Sequence, residues 1–250
     1  YDGSAWTVTN PLNNGRSGIV AFGASSASSV AANGYADSPG GIFYLNSTEG
    51  FDGSTWTNLN NSNTNKEGGT GSGIQNAGFA CTGAQPHGAG NEGTANETWD
   101  GTCWTTANAT TFATQRAGSA GTLGAAVIAG GQIGYPQSYL STAAEWDGTC
   151  WSSATSLPGT RAGMSKTRSP QVAAVMFGGY AGTATPLLRN LNYDGAAWTT
   201  GATMARPASD GAGASGDSSG LIAAGGGNYT TTTEEYLGAG VAETKTITTS

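Results

Sequence analysis

Of the nine Lys and Arg residues in this 250-residue chain, five fall at one recurring position, just ahead of a short stretch rich in Gly, Ala and Ser: Arg16, Lys66, Arg116, Arg161 and Arg206. Tyr35, Tyr135, Tyr180 and Tyr229 recur further on, each after the next such stretch. Directed cationic donors beside phenol rings are the side chains that hold sugar rings and peptide carboxylates. The competing reading is internal: each basic residue pairs with an acid of a neighbouring repeat or caps backbone carbonyls, and the tyrosines pack under loops.

Catalysis is harder to find. A glycosidase needs carboxylates facing one pocket about 5–10 Å apart. Asp2, Asp52, Asp100, Asp147 and Asp194 sit in a repeated turn, with Glu49, Glu97, Glu145, Glu234 and Glu235 just before it, so they read as scaffold. Asp37, Glu67, Glu92, Asp210 and Asp217 fall in loops with no common spacing, and no catalytic residue is expected. His87 is the only histidine, which leaves no metal cluster and no dyad; no cofactor or metal is expected. Cys81, Cys103 and Cys150 read as free, buried or half-buried thiols, a Cys81–Cys103 bridge within one repeat being the one pairing entertained. Nucleophile-elbow and phosphate-loop motifs are absent.

The element that must position these residues is a hexad of aromatic, Asp-Gly, two small residues and Trp. It occurs at Tyr1–Trp6, Phe51–Trp56, Trp99–Trp104, Trp146–Trp151 and Tyr193–Trp198, with successive Trp residues 50, 48, 47 and 47 apart. Asp-Gly turns the chain tightly and the flanking aromatics favour a pleated surface, so each hexad predicts a hairpin. A period of this length predicts a repeat architecture. With the preceding stretches, each unit has four strands: units 16–59, 66–107, 116–154, 161–201, and 206–240 completed by 1–9. The last unit lacks its Trp strand, and the orphan strand around Trp6 is expected to pair with the strand carrying Tyr236 and close a ring. Residues 241–250 fall outside the repeat, as a tail or an edge strand.

Composition agrees. With 42 Gly and only 10% charged residues the chain is poor in helix formers, while regularly spaced Trp, Tyr and Phe exclude disorder. A net charge of −7 argues against nucleic acid and anionic membranes as partners. No apolar run approaches the roughly 20 residues of a membrane-spanning helix.

The repeats resemble kelch repeats, in which the second strand of a β-propeller blade ends in Gly-Gly and aromatics follow in the third and fourth. Here these are Gly130-Gly131, Gly178-Gly179 and Gly225-Gly226, with Trp6, Trp56, Trp104, Trp151 and Trp198 closing the hexads; Asn33-Gly34 and Thr82-Gly83 depart from the pattern. The resemblance implies an all-β, five-bladed propeller whose basic residues and tyrosines circle the channel mouth, on the face where kelch domains commonly bind partners. Thr233-Glu234-Glu235-Tyr236, the Asp-Gly-x-x-Trp-Thr hexads and the low-charge filling are also similar to kelch-type proteins of tailed, particularly marine, bacteriophages. That likeness implies a non-enzymatic virion or extracellular module, recognising a host-surface glycan or other virion or surface proteins, its oligomeric state left open. The rival expectations are a cellular secreted lectin, a glycan-active enzyme and a structural spacer.

Overall fold

The computed structural model describes residues 5–38, 41–86, 91–182, 185–210, 212–215, 221–224 and 233–236. All regular structure among them is β apart from a 3-10 turn at Gln171–Ala173. In the first sheet β1 (Val20–Ser25), β2 (Ser28–Ala32), β5 (Thr48–Phe51) and β6 (Trp56–Leu59) lie in chain order, antiparallel throughout. A hairpin of β3 (Tyr35–Ser38) and β4 (Gly41–Tyr44) stands between β2 and β5, where the sequence suggests only a loop. The second sheet repeats the order with β7 (Thr70–Ile74), β8 (Ala77–Cys81), β9 (Asn96–Trp99) and β10 (Trp104–Ala107). The third has β11 (Gly118–Thr122), β12 (Ala125–Ala129), β15 (Ala143–Trp146) and β16 (Trp151–Ala154), with a short hairpin of β13 (Gln132–Ile133) and β14 (Ser138–Tyr139).

The fourth sheet departs from this plan. The position of the second strand is split between β18 (Ala174–Met176) and β19 (Gly178–Ala181); β17 (Ala162–Met164) pairs with β19, while β18 pairs with β20 (Thr185–Tyr193), which carries β21 (Trp198–Ala208). Two serine hydroxyls cause the split: Ser169 Oγ takes the amide of Val175 and Ser165 Oγ that of Phe177, donors that a ladder would otherwise use. In the last sheet β22 (Ala212–Ser215), β23 (Leu221–Ala224) and β24 (Thr233–Tyr236) pair in order.

Four hexads form the predicted hairpins, placing Phe51 opposite Trp56, Trp99 opposite Trp104, Trp146 opposite Trp151 and Tyr193 opposite Trp198. In each the Asp Oδ1 accepts two backbone amides, 2.8 and 2.7 Å from Thr102 and Cys103 to Asp100 for example, and the next Gly takes a positive φ. Those amides hold the carboxyls of Asp52, Asp100, Asp147 and Asp194 below the usual range. These are turns, as read from the sequence.

The cores lie between sheets. Val20, Phe22 and Val30 of the first sheet pack with Trp99 and Trp104 of the second; Phe79 and Cys81 of the second pack with Ile128, Trp146 and Trp151 of the third. A sheet of four short strands cannot bury both faces alone, so Trp104, Trp151 and Trp198 each seal the core of the sheet before their own. At the inner edge Ser119 Oγ donates to Gly71 O, and Ser72 Oγ to Gly121 O and Thr167 O, tying three sheets together.

The termini meet differently from the expectation. Residues 5–12 form no strand, and among the described residues β24 pairs only with β23. Trp6 Nε1 instead donates to Thr233 Oγ1 at 3.1 Å, the contact Trp104 Nε1 makes to Thr48 Oγ1 at 3.0 Å across two neighbouring sheets. Trp6 thus lies beside the last sheet as Trp104 lies beside the first. Gly225-Gly226 and the stretch 241–250 are outside the described residues.

Candidate functional site

The inner edges of the sheets are laced by a backbone ladder. Gly68 N donates to Gly18 O, Arg116 N to Gly68 O, Gly163 N to Arg116 O and Asp210 N to Gly163 O, at 2.8, 2.6, 2.8 and 2.9 Å. All five residues have positive φ, between 52° and 65°. Glycine suits that conformation, whereas Arg116 and Asp210 adopt it at a strain of about 1–3 kcal/mol each, a cost that clusters at functional sites.

The ladder rims a cavity of about 490 Å³ lined from all five repeat units: Ser17, Ile19 and Tyr35 from the first, Glu67 from the second, Arg116 from the third, Met164 and Lys166 from the fourth, Asp210 from the fifth. Arg116 Nη1 lies 3.7 Å from Asp210 Oδ2 and donates to Tyr180 Oη at 3.3 Å; Tyr180 donates onward to Gln132 Oε1 at 3.0 Å. Lys166 reaches across the channel, its Nζ donating to Ile19 O at 3.1 Å and Gly69 O at 2.8 Å. Burial pushes its amine down to about 8, against the pull of Asp210. Burial also raises the Glu67 carboxyl, opposed by Arg116 and Lys166, and raises the Tyr180 phenol. Among the described residues no group of three His, Cys, Asp or Glu is placed to hold a metal.

The predicted ring of cations is largely internal. Arg16 pairs with Glu49, both side chains unexposed, and Glu49 also accepts the amides of Asn13 and Asn14. Lys66 Nζ is 3.1 Å from Glu97 Oε2, equally buried, and Arg206 Nε is 3.5 Å from Glu234 Oε1. Arg161 is half-buried and caps Gly178 O and Arg189 O. The reason is charge: Glu49, Glu97 and Glu234 hold one position of the third strand, and a buried carboxylate requires a cation. Where that position reads Ala144, the cation position reads Thr114, whose Oγ1 donates to Gly130 O as Arg16 donates to Asn33 O. Arg116 is therefore two residues out of register with Arg16, Lys66 and Arg161, in the column of Gly18, Gly68 and Gly163. That slip puts it at the cavity.

Of the predicted tyrosines, Tyr35 lines the cavity and Tyr180 is buried against Arg116, while Tyr135 stands 80% exposed beyond β13. Tyr229, His87 and Asp217 lie outside the described residues. Cys81, Cys103 and Cys150 are all free; Cys81 is buried, and Cys103 and Cys150 are exposed rather than half-buried. Sequence reasoning missed Lys166, whose only signal was a Lys in the inner-strand column of Ala21, Gly71 and Ser119. It also set Glu67 and Asp210 apart, because their convergence on one cavity depends on how the sheets pack and not on spacing.

No family model and no curated protein sequence matches the chain. Among solved structures it is similar to "Structure of YjhT", with a TM-score of 0.68 over 88% of this chain and 74% of that one, at 13% identity. The fold is a β-propeller fold. The likeness carries the architecture alone, and the propeller's inner rim is where the cavity lies.

Proposed function

We propose that the chain is a non-enzymatic binding module of a virion or other extracellular surface, a five-bladed, closed kelch-like ring that takes a host-surface glycan at its channel mouth. The observation that carries this reading is the cavity: about 490 Å³, with Tyr35, Glu67, Arg116, Lys166 and Asp210 on one wall or another. Alternating donors and acceptors around an aromatic ring suit a hydroxyl-rich ligand. The contact of Trp6 with Thr233 supports closure by bringing the two ends of the chain together.

A glycan array probed with the wild type and Arg116→Ala tests it. Binding by the wild type, weakened at least ten-fold in the variant, is expected; a wild type that binds no glycan sinks the reading. The second reading is a glycan-active enzyme, favoured by Glu67 and Asp210 sharing one cavity. Turnover of the bound sugar would establish it in place of the first.

A further inference from the structure

Among the described residues, Glu49, Glu92, Glu97, Glu145 and Glu234 each accept at least one hydrogen bond from the protein. Glu49 accepts two amides and Arg16; Glu92 accepts Gln115 Nε2 and the amide of Gly134; Glu145 accepts Tyr193 Oη. Glu67 differs. It is half-buried in the cavity wall, and no described residue donates a hydrogen bond to its carboxylate. The cavity's cations are nearby but committed, Lys166 to two backbone carbonyls and Arg116 to Asp210 and Tyr180. An acceptor left open in a half-buried site needs donors from outside the protein.

The surroundings select which donors. A cationic ligand or a metal ion meets Arg116 and Lys166; an anionic ligand meets Glu67 and Asp210. A neutral polyol avoids both penalties. Tyr35 stands beside the carboxylate: Glu67 Oε2 and Tyr35 Cδ1 both lie against Gly18, 2.8 and 3.5 Å from where a Cβ on that glycine would stand. Apolar ring and open carboxylate thus stand side by side on the cavity wall, where a hexose can offer its C–H face to the one and a hydroxyl edge to the other. Resting on the glycan reading above, we infer that Glu67 is the anchor of this site and accepts two adjacent hydroxyls of a neutral hexose seated against Tyr35.

Titration calorimetry with the methyl glycosides of glucose, galactose and mannose, and with a deoxy analogue of whichever binds, tests the inference on the full chain. Glu67→Gln keeps the shape, and since the carboxylate bonds to no described residue its melting temperature should match the wild type. Affinity should fall at least ten-fold in Glu67→Gln, and equally for the wild type with the deoxy sugar. The carboxylate form binds, so wild-type affinity should be lost as pH falls through the raised Glu67 value. Arg116 and Lys166 face Glu67 and shift that midpoint down, with Tyr44 and Tyr35 beside it and Asp210 and Tyr180 across the mouth. Glu67→Gln should flatten this profile. Unchanged affinity in Glu67→Gln, or a preference for acidic sugars, overturns the anchor while leaving glycan binding intact; binding of no sugar at all overturns the glycan reading itself.

Discussion

At the scale of single residues the chain contains its own control for charge burial. Lys66 and Glu97 are fully buried together, whereas the third sheet solves the same place with Thr114 and Ala144. An isolated buried charge is costly, but the pair as a whole adds little over an apolar filling. Lys66→Ala is therefore expected to destabilise by about 3–5 kcal/mol in urea denaturation, because Glu97 is left without its cation. Lys66→Thr combined with Glu97→Ala, copying the third sheet, should recover about half of that loss. A double variant no more stable than Lys66→Ala would show that the ion pair itself, not the relief of a stranded charge, holds the sheet.

At the scale of elements, the glycines that end the second strands explain both the diglycine signature and its exceptions. Gly34, Gly83, Gly131 and Gly179 have φ between 88° and 98°, and an added Cβ would lie 2.5 to 2.7 Å from a carbonyl oxygen of the first strand's approach. The position before them is in the left-handed region, which Asn33 and Thr82 enter at φ 61° and 59°. The second glycine is kept in all four units, whereas the first is replaced in two, although at Gly130 and Gly178 an added Cβ would strike Arg161 O and Ala208 O. Gly148 of a hexad turn has a similar φ of 94°, yet its nearest neighbour would be 3.2 Å away. Gly148→Ala should cost about 1–2 kcal/mol from backbone strain alone. Gly131→Ala, whose Cβ would also strike Thr114 Oγ1, should exceed about 4 kcal/mol. Equal costs in thermal melts would assign both glycines to backbone conformation only. The same elements show what the sequence displays: aromatics flanking Asp-Gly are locally determined, so the hexad hairpins were readable. The register at Arg116 was not, because Arg116-Ala117-Gly118 imitates Arg161-Ala162-Gly163 while the backbone ladder aligns Arg116 with Gly163. Nor was the split of β18 from β19, which turns on two serine hydroxyls from another segment.

At the scale of the whole molecule, stability is passed from sheet to sheet, since the three large cores are shared by neighbours and the four described hexad turns are strapped to the segment before them. Asn10 donates to Ser54 O, Asn60 to Thr102 O, Asn108 to Thr149 O and Thr155 to Ala196 O, strapping the N-terminal segment to the first unit and each of the first three units to the next. In an open stack the last sheet would depend on the fourth alone; in a ring it depends on the N-terminal segment as well. Trp6, 46% exposed, is a weak contributor to burial compared with Trp104 at 7%, so replacing it by Ala should lower global stability by only about 1 kcal/mol. Its local effect is the informative one. The ring proposal expects Trp6→Ala to accelerate amide hydrogen exchange in Thr233–Tyr236, where the indole bonds Thr233 Oγ1, while the amides of β11 and β12 keep their protection. Exchange in Thr233–Tyr236 that ignores the substitution would make the contact of the two ends incidental and the array an open one, in which case the cavity would be a groove and its ligand correspondingly extended.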